Sequence, residues 1–256
     1  MGVPTLGCRC AVCTSTDPRN RRTRPSIAVL WTDAGGVERT VIIDTGPDFR
    51  EQALREDIRH VDAVFYTHGH SDHILGMDDL RPLSFQHRPA MLPLYADDAT
   101  ARVLRRNFDY TFAKDSNYPT RARVELLRLE GEDAAAVHGA QFQRVPLLHG
   151  SLPVAGFRFG SAAYLTDMSR IPDTSLPLLE GLEVLILDAL RPQPHPSHAS
   201  IAEALRWVER IGPRRAWFTH MSHEVDHVVA EKAFPENVRL AFDGLRIEIQ
   251  SIGDGV

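Results

Sequence analysis

No run of apolar residues in this 256-residue chain approaches the roughly 20 that a membrane-spanning helix needs. A basic segment leading into an apolar stretch is also missing at the start, so no signal peptide is legible and the cytoplasm is the expected compartment. Basic residues are not in excess. The formal net charge of -5 argues against a general binder of nucleic acid or membrane surfaces, while leaving room for a local basic patch. Internal repeats, low-complexity tracts and linkers are lacking too. The chain is long enough for one large buried core, and it reads as a single domain over residues 1–256 with a cysteine cluster within residues 1–25.

Cysteine is scarce and unevenly placed. All three, Cys8, Cys10 and Cys13, fall in the opening "GVPTLGCRCAVC", and the chain has no fourth to complete a set. In a reducing compartment an odd, tight cluster fits metal binding or redox chemistry better than a disulfide framework, and its spacing alone does not choose between those two. Histidine is abundant instead. Twelve are present, about twice what average usage gives, which prompts a search for ligands.

Periodicity gives a mixed α/β chain. "SIAVLW" and "RTVIID" are strand-like runs joined across "DAGG", a hairpin pattern. "FREQALRED" has helical spacing, and "DAVFYT" is a short, nearly continuous apolar strand suited to burial on both faces. "LPLYA" predicts a strand and "DDATARVLRRNF" a helix capped by aspartate, with its basic residues toward the end. "DYTFAKDSNYPT" has no period and predicts a surface loop. "RVELLRL", "FQRVPLL", "GFRFGSAAYLTD" and "VLILDAL" follow as strands, "SIAEALRWVERIG" as a helix, "RAWFTH" as a strand, "HEVDHVVAEKAF" as a helix and "VRLAFDGLRIEI" as a closing strand pair. Strands come in runs with helices interspersed, so a sandwiched α/β architecture is expected.

The strand "DAVFYT" runs straight into "HGHSDH", which sets His68, His70, Asp72 and His73 within six positions. Unpaired, such a cluster would be costly to bury at the end of a core strand, and a divalent metal compensates it. Three further candidates also end β-runs: His149 in "PLLHG", Asp167 in "YLTDMS" and His220 in "WFTHMSH". HxHxDH after an apolar strand, with these three following in order, resembles the metallo-β-lactamase superfamily of metal-dependent hydrolases. The resemblance implies an αββα sandwich with its site at one edge. It also implies two divalent catalytic ions, zinc or manganese. His68, His70 and His149 would hold one, Asp72, His73 and His220 the other, and Asp167 would bridge them.

Within that superfamily, "GVPTLGCRCAVC" together with "THMSH" resembles the PhnP group of cyclic-phosphate phosphodiesterases. The resemblance implies a structural zinc on Cys8, Cys10, Cys13 and His223, in keeping with the closed tetrahedral sets such zinc takes. In that group a strand and a "GTGTSxG" turn precede "GVP", where this sequence begins at Met1; a native chain starting there is expected to leave a sheet edge unpaired, and a longer native chain would supply that strand. His198 in "HPSHAS" matches an active-site histidine of the group, and a histidine there suits protonation of a departing alkoxide or a grip on a phosphate oxygen. Asp72 and His198 are thus the candidate catalytic side chains. His60, His87, His138 and His227 show no partner pattern and are read as structural or surface.

The basic run "RNRRTR" (19–24) is read first as a solvated loop, with its arginines able to meet phosphate. The expected substrate is a small phosphodiester, such as a phosphoribosyl cyclic phosphate, and neither membrane nor nucleic acid is expected as a partner. The relatives imply a homodimer. Three other readings share these motifs: a thioester or lactone hydrolase, a tRNA-processing nuclease and a non-catalytic PqqB-like binding protein. The nuclease would carry a protruding basic arm, which is lacking. The binding protein would have an eroded histidine loop, and here the loop is intact.

Overall fold

The structure, a computed structural model, describes residues 2–113 and 117–250. They form two compact units, residues 25–141 and residues 2–24 with 142–250, each taken by itself below.

In the first unit the expected hairpin forms. β1 (Ile27–Thr32) and β2 (Glu38–Ile43) pair antiparallel, with Thr32 opposite Glu38. Asp33 closes the turn by accepting from Gly35 N and Val37 N at 2.8 and 3.0 Å, and Gly36 takes the left-handed φ of 80° that glycine adopts without steric cost. β2 then pairs in parallel with β3 (Ala63–Phe65), β3 with β4 (Leu92–Ala96) and β4 with β5 (Val124–Arg128). The sheet order is β1-β2-β3-β4-β5, which leaves β1 at an edge. β3 is buried throughout, as its unbroken apolar run requires.

The helices of this unit are α1 (Phe49–Arg55), α2 (Ser71–Ile74), α3 (Arg81–Ser84), α4 (Asp98–Asn107) and α5 (Asp109–Phe112). α4 starts on the expected aspartate cap, Asp97 Oδ1 accepting from Thr100 N at 2.8 Å. α2, α3 and α5 have four residues each, too few for a helical period to show in the sequence. α5 replaces the start of the predicted loop "DYTFAKDSNYPT", whose residues 114–116 lie outside the described ones. The core gathers Val64, Tyr66, Met77, Leu80, Leu94 and Leu104. A short strand without β-branched residues until its end, β6 (Ala134–Val137), comes before the last strand-rich part of the chain.

In the second unit, β7 (Ala140–His149), β8 (Leu152–Phe159) and β9 (Ala162–Leu165) pair antiparallel. β9, β10 (Val184–Asp188), β11 (Arg215–Thr219) and β12 (Val238–Leu240) pair in parallel, which gives the order β12-β11-β10-β9-β8-β7. α6 (Ile201–Ile211) carries both halves of a capping box: Ser200 Oγ accepts from Glu203 N at 3.3 Å, and Glu203 Oε2 accepts from Ser200 N at 2.8 Å. It ends at Gly212 in the left-handed conformation. Its Ala204 and Val208 pack with Leu165, Leu185, Leu187 and Phe218 in the core.

Three sequence expectations change here. The last predicted helix shortens to α7 (His227–Glu231), because Asp226 caps it by accepting from Val229 N at 3.0 Å and His223 is engaged elsewhere. The predicted closing pair yields β12 alone. Beyond it the chain is tied by side chains rather than by a ladder: Asp243 accepts from Thr23 N, Glu183 accepts from Gln250 N, and Arg215 donates to Glu248 O. Arg22 is not solvated. It is 7% exposed, donating to Ser222 O, Val225 O and Asn20 Oδ1 at 3.0, 2.7 and 3.1 Å. Among the described residues no helix is long and apolar enough to cross a membrane.

Candidate functional site

The histidine loop begins at His68, three residues past the end of β3. Asp44, the residue after β2, organises it: its Oδ1 accepts from Thr67 N at 2.8 Å, and its Oδ2 accepts from Thr67 Oγ1 at 2.7 Å and pairs with His73 Nδ1 at 2.8 Å. Both Asp44 and His73 are fully buried. Burial pushes the Asp44 carboxyl up, and the opposing pull comes from His73 and from the hydrogen bonds of Thr67. With Nδ1 holding the proton shared with Asp44, Nε2 is the atom of His73 that could serve as a metal ligand, and Asp72 Oδ1 stands 3.9 Å from it. The His68 ring centroid lies 4.5 Å from that of His70 and 4.3 Å from that of His73. All four loop residues singled out in the sequence are therefore gathered at one strand end.

Gly69 makes the loop's tightness possible. A Cβ there would come within 3.0 Å of Val103 Cγ2 on α4. Gly76 is stricter still, because a Cβ would meet the backbone oxygen of Gly46.

In the second unit His149, Asp167, His198 and His220 converge. His149 Nδ1 bonds to Ser197 O at 2.6 Å, which makes Nε2 its candidate ligand atom. His198 Nδ1 pairs with Asp188 Oδ2 at 2.8 Å, and His220 Nε2 lies 3.3 Å from Asp167 Oδ1. The donor atoms of His149, Asp167 and His198 lie within 4.8 Å of one another, as do those of Asp188, His198 and His220. His198 stacks on His220 at 4.8 Å between centroids and meets His149 edge-on at 4.4 Å. His195 stands beside it at 5.1 Å, its pKa held below the usual histidine value first by burial and then by His198 and Arg191.

Such a set calls for a cation. Asp188 is fully buried, and its Oδ1 makes no hydrogen bond among the described residues, with His220 Nδ1 3.9 Å away. Burial drives its carboxyl well above the usual range; His220 lowers it and Asp167 raises it further. A divalent ion among these donors would relieve that cost. The backbone is strained at the same points. Asp44, Asp167 and His220 have φ of 65°, 50° and 58°, a region that costs a non-glycine residue on the order of 1 kcal/mol and recurs at functional sites.

Asp44 and Asp188 are the site residues that the sequence reading missed. Both end β-runs, "RTVIID" and "VLILD", so the rule that found His149, Asp167 and His220 applies to them as well.

The cysteine cluster lies entirely within the second unit. His223 Nδ1 is 3.1, 3.5 and 3.6 Å from the sulfurs of Cys8, Cys10 and Cys13. Zinc–sulfur and zinc–nitrogen bonds of about 2.3 and 2.0 Å at a tetrahedral angle require sulfur–nitrogen separations of about 3.5 Å, so the four donors fit that ion. Backbone N–H groups already aim at the sulfurs: Cys10 N at Cys8, Cys13 N at Cys10 and Thr5 N at Cys13, at 3.3 to 3.5 Å. The Cys13 N–H, against the opposing effect of burial, brings the Cys10 thiol down to about 6, so it is largely thiolate at neutral pH. Arg22 and Asn20 brace the segment that follows the cluster against the loop that carries His223, Asn20 Nδ2 donating to Asp226 at 3.0 Å.

The profile of the beta-lactamase superfamily domain matches residues 39–221. The chain therefore belongs to the metallo-β-lactamase superfamily of metal-binding hydrolases and has its fold. Within that class it is similar to a solved diphosphatase of the PhnP family, with 47% identity and a TM-score of 0.90 over 99% of this chain and 95% of that one. It is 35% identical over 254 residues to an octanoyltransferase of Porphyromonas gingivalis, covering 98% of this chain and 50% of that protein, so it spans half the length of this relative. Zinc-bound PqqB of Methylobacterium extorquens shares the fold at 19% identity, with a TM-score of 0.73 over 97% of this chain and 96% of that one.

Proposed function

We propose that the chain is a cytoplasmic, metal-dependent phosphodiesterase acting on a small phosphodiester, a phosphoribosyl cyclic phosphate being the substrate type that fits best. The observation that carries this reading is the likeness, across nearly the whole chain, to a PhnP-family enzyme named for hydrolysis at phosphorus. In this proposal His68, His70 and His149 hold one divalent ion, Asp72, His73 and His220 a second, and Asp167 serves both. Cys8, Cys10, Cys13 and His223 hold a structural zinc. Zinc or manganese would suit the mixed imidazole and carboxylate donors. Bound divalent ions supply Lewis acidity and lower the pKa of water, chemistry these side chains lack alone.

The remaining work belongs to the chain's own residues. Asp44 and Asp188 each engage an Nδ1 atom, on His73 and His198, and so fix the orientation of those rings. The proton role of His198 then falls to Nε2, which donates to the departing alkoxide oxygen or grips a phosphoryl oxygen. Burial keeps bulk water from competing for that proton.

The test is turnover of bis(p-nitrophenyl) phosphate, a diphosphate, a lactone and an acyl thioester by the wild-type protein and by His198→Ala. The expected result is phosphodiester turnover that falls about 10²- to 10⁴-fold in the variant with its metal content retained. Unchanged turnover removes His198 from the mechanism. Preference for the thioester would move the reading to acyl chemistry, as the name of the Porphyromonas gingivalis relative raises.

A further inference from the structure

The first unit holds a cavity of about 350 Å³ unrelated to the histidine loop in its chemistry, lined by Phe85, Arg88, Met91, Tyr118, Arg121 and Arg123 among others. That volume is at the small-ligand end of the range for binding sites. Its floor is where β4 and β5 begin: Leu92 N donates to Arg123 O at 2.8 Å, and Ser84 Oγ at the end of α3 accepts from Arg123 N at 2.9 Å.

The charge in this cavity is one-sided. Among the described residues its lining contains no aspartate or glutamate, and Arg88, Arg121 and Arg123 have no carboxylate partner. Arg121 Nη1 donates to Ala113 O at 2.7 Å, and Arg123 Nη2 donates to Pro89 O at 2.9 Å. These bonds fix two guanidinium groups in place and leave most of their donors uncommitted. Arg123 Nε is buried beneath this surface, so the part of the guanidinium open to a ligand is its Nη end. Arg88 is exposed and lies 5.4 Å over the Phe85 ring.

Three arginines lining one concavity form a candidate phosphate-recognition set, since a guanidinium offers a planar fork of donors that meets two phosphoryl oxygens. The rest of the wall mixes Phe85, Tyr118 and Met91 with Asn117, Pro119 and Ala122. Tyr118 is 44% exposed and Met91 43%, and Arg81 Nη1 donates to Tyr118 Oη at 3.1 Å, which fixes that ring. A ligand that offers both a phosphate and a flat aromatic ring matches this mixed lining.

We propose that this cavity binds a mononucleotide, with its phosphate held by Arg88, Arg121 and Arg123 and its base laid against Tyr118 and Met91. The site stands apart from the proposed phosphodiesterase reaction, because none of its residues belongs to either metal-binding set.

Isothermal titration of the full chain with AMP, adenosine and inorganic phosphate tests it, using wild type, Arg88→Glu and His70→Ala, with thermal unfolding to verify folding of each. AMP is expected to saturate wild type and His70→Ala with equal affinity and to bind Arg88→Glu at least tenfold more weakly. Adenosine and phosphate alone are each expected to bind at least tenfold more weakly than AMP. Arg88→Gln replaces Arg88→Glu if the charge reversal unfolds the chain, and the same loss is expected. AMP binding that survives at Arg88 but disappears in His70→Ala would place the ligand at the metal-binding loop and overturn the proposal. So would the absence of saturable AMP binding. Phosphate binding as tightly as AMP would overturn the nucleotide assignment.

Discussion

Asp44 holds three donors with two oxygens: the backbone and hydroxyl of Thr67 and the Nδ1 of His73, all in a place without water access. Removing such a carboxylate strands several buried polar groups at once, so Asp44→Ala is expected to cost about 2–4 kcal/mol of stability. It should also weaken metal binding about 10- to 100-fold by releasing His73 from its orientation. Denaturant melts and metal titration check the two effects separately. Cys10 gives a prediction in pH. Its thiol falls from the ordinary 9.0 to about 6 in the folded chain. The stabilisation this brings is therefore complete only above about 9, declines as pH falls and is gone below about 6. Ion retention by the cysteine cluster should follow the same direction, with metal lost on titration from pH 7 to 5; retention unchanged at pH 5 would contradict the assignment.

At the scale of elements, the loop after β3 depends on one missing side chain. Gly69→Ala would press a methyl group to 3.0 Å from Val103 Cγ2, so it should lower stability by about 1–3 kcal/mol through overpacking. Val103 Cβ lies only 3.1 Å from the same position, so relief requires α4 itself to shift; a denaturant midpoint unchanged in Gly69→Ala would contradict the tight packing assigned here. The loop's ligands were legible because they end β-runs, and the strands flanking them carry unbroken apolar patterns. Asp44 and Asp188 follow the same rule yet escaped it, because a single carboxylate closing a strand has no HxH spacing around it to mark it. α2, α3 and α5 escaped for a different reason, being a single turn each, where tertiary contacts rather than periodicity decide the conformation. The chain after β12 read as a strand from its alternation but settled onto side-chain partners instead, with Gly244 at a φ of 86° turning it away from the ladder.

Over the whole molecule the clearest long-range tie is within the second unit, where residues 8–13 meet His223 some two hundred positions later. The resemblance read from "GCRCAVC" and "THMSH" named this ligand set, and the four donor atoms do come together. Arg22 and Asn20 reinforce the same tie without metal, so loss of the ion should loosen residues 2–24 rather than unfold the unit. Hydrogen exchange before and after chelation checks this: faster exchange is expected across residues 2–24 and 222–227, with the amides of β10 and β11 unchanged. The central claim is that the chain carries two kinds of metal site built from separate residue sets. Metal content per chain, measured on wild type, Cys10→Ala and His68→Ala purified alike, tests it most directly. Three ions are predicted for wild type, two for Cys10→Ala with phosphodiester turnover remaining, and one or two for His68→Ala with turnover lost and the cysteine-bound zinc retained. A single ion in wild type, or the same content in all three proteins, would contradict the account.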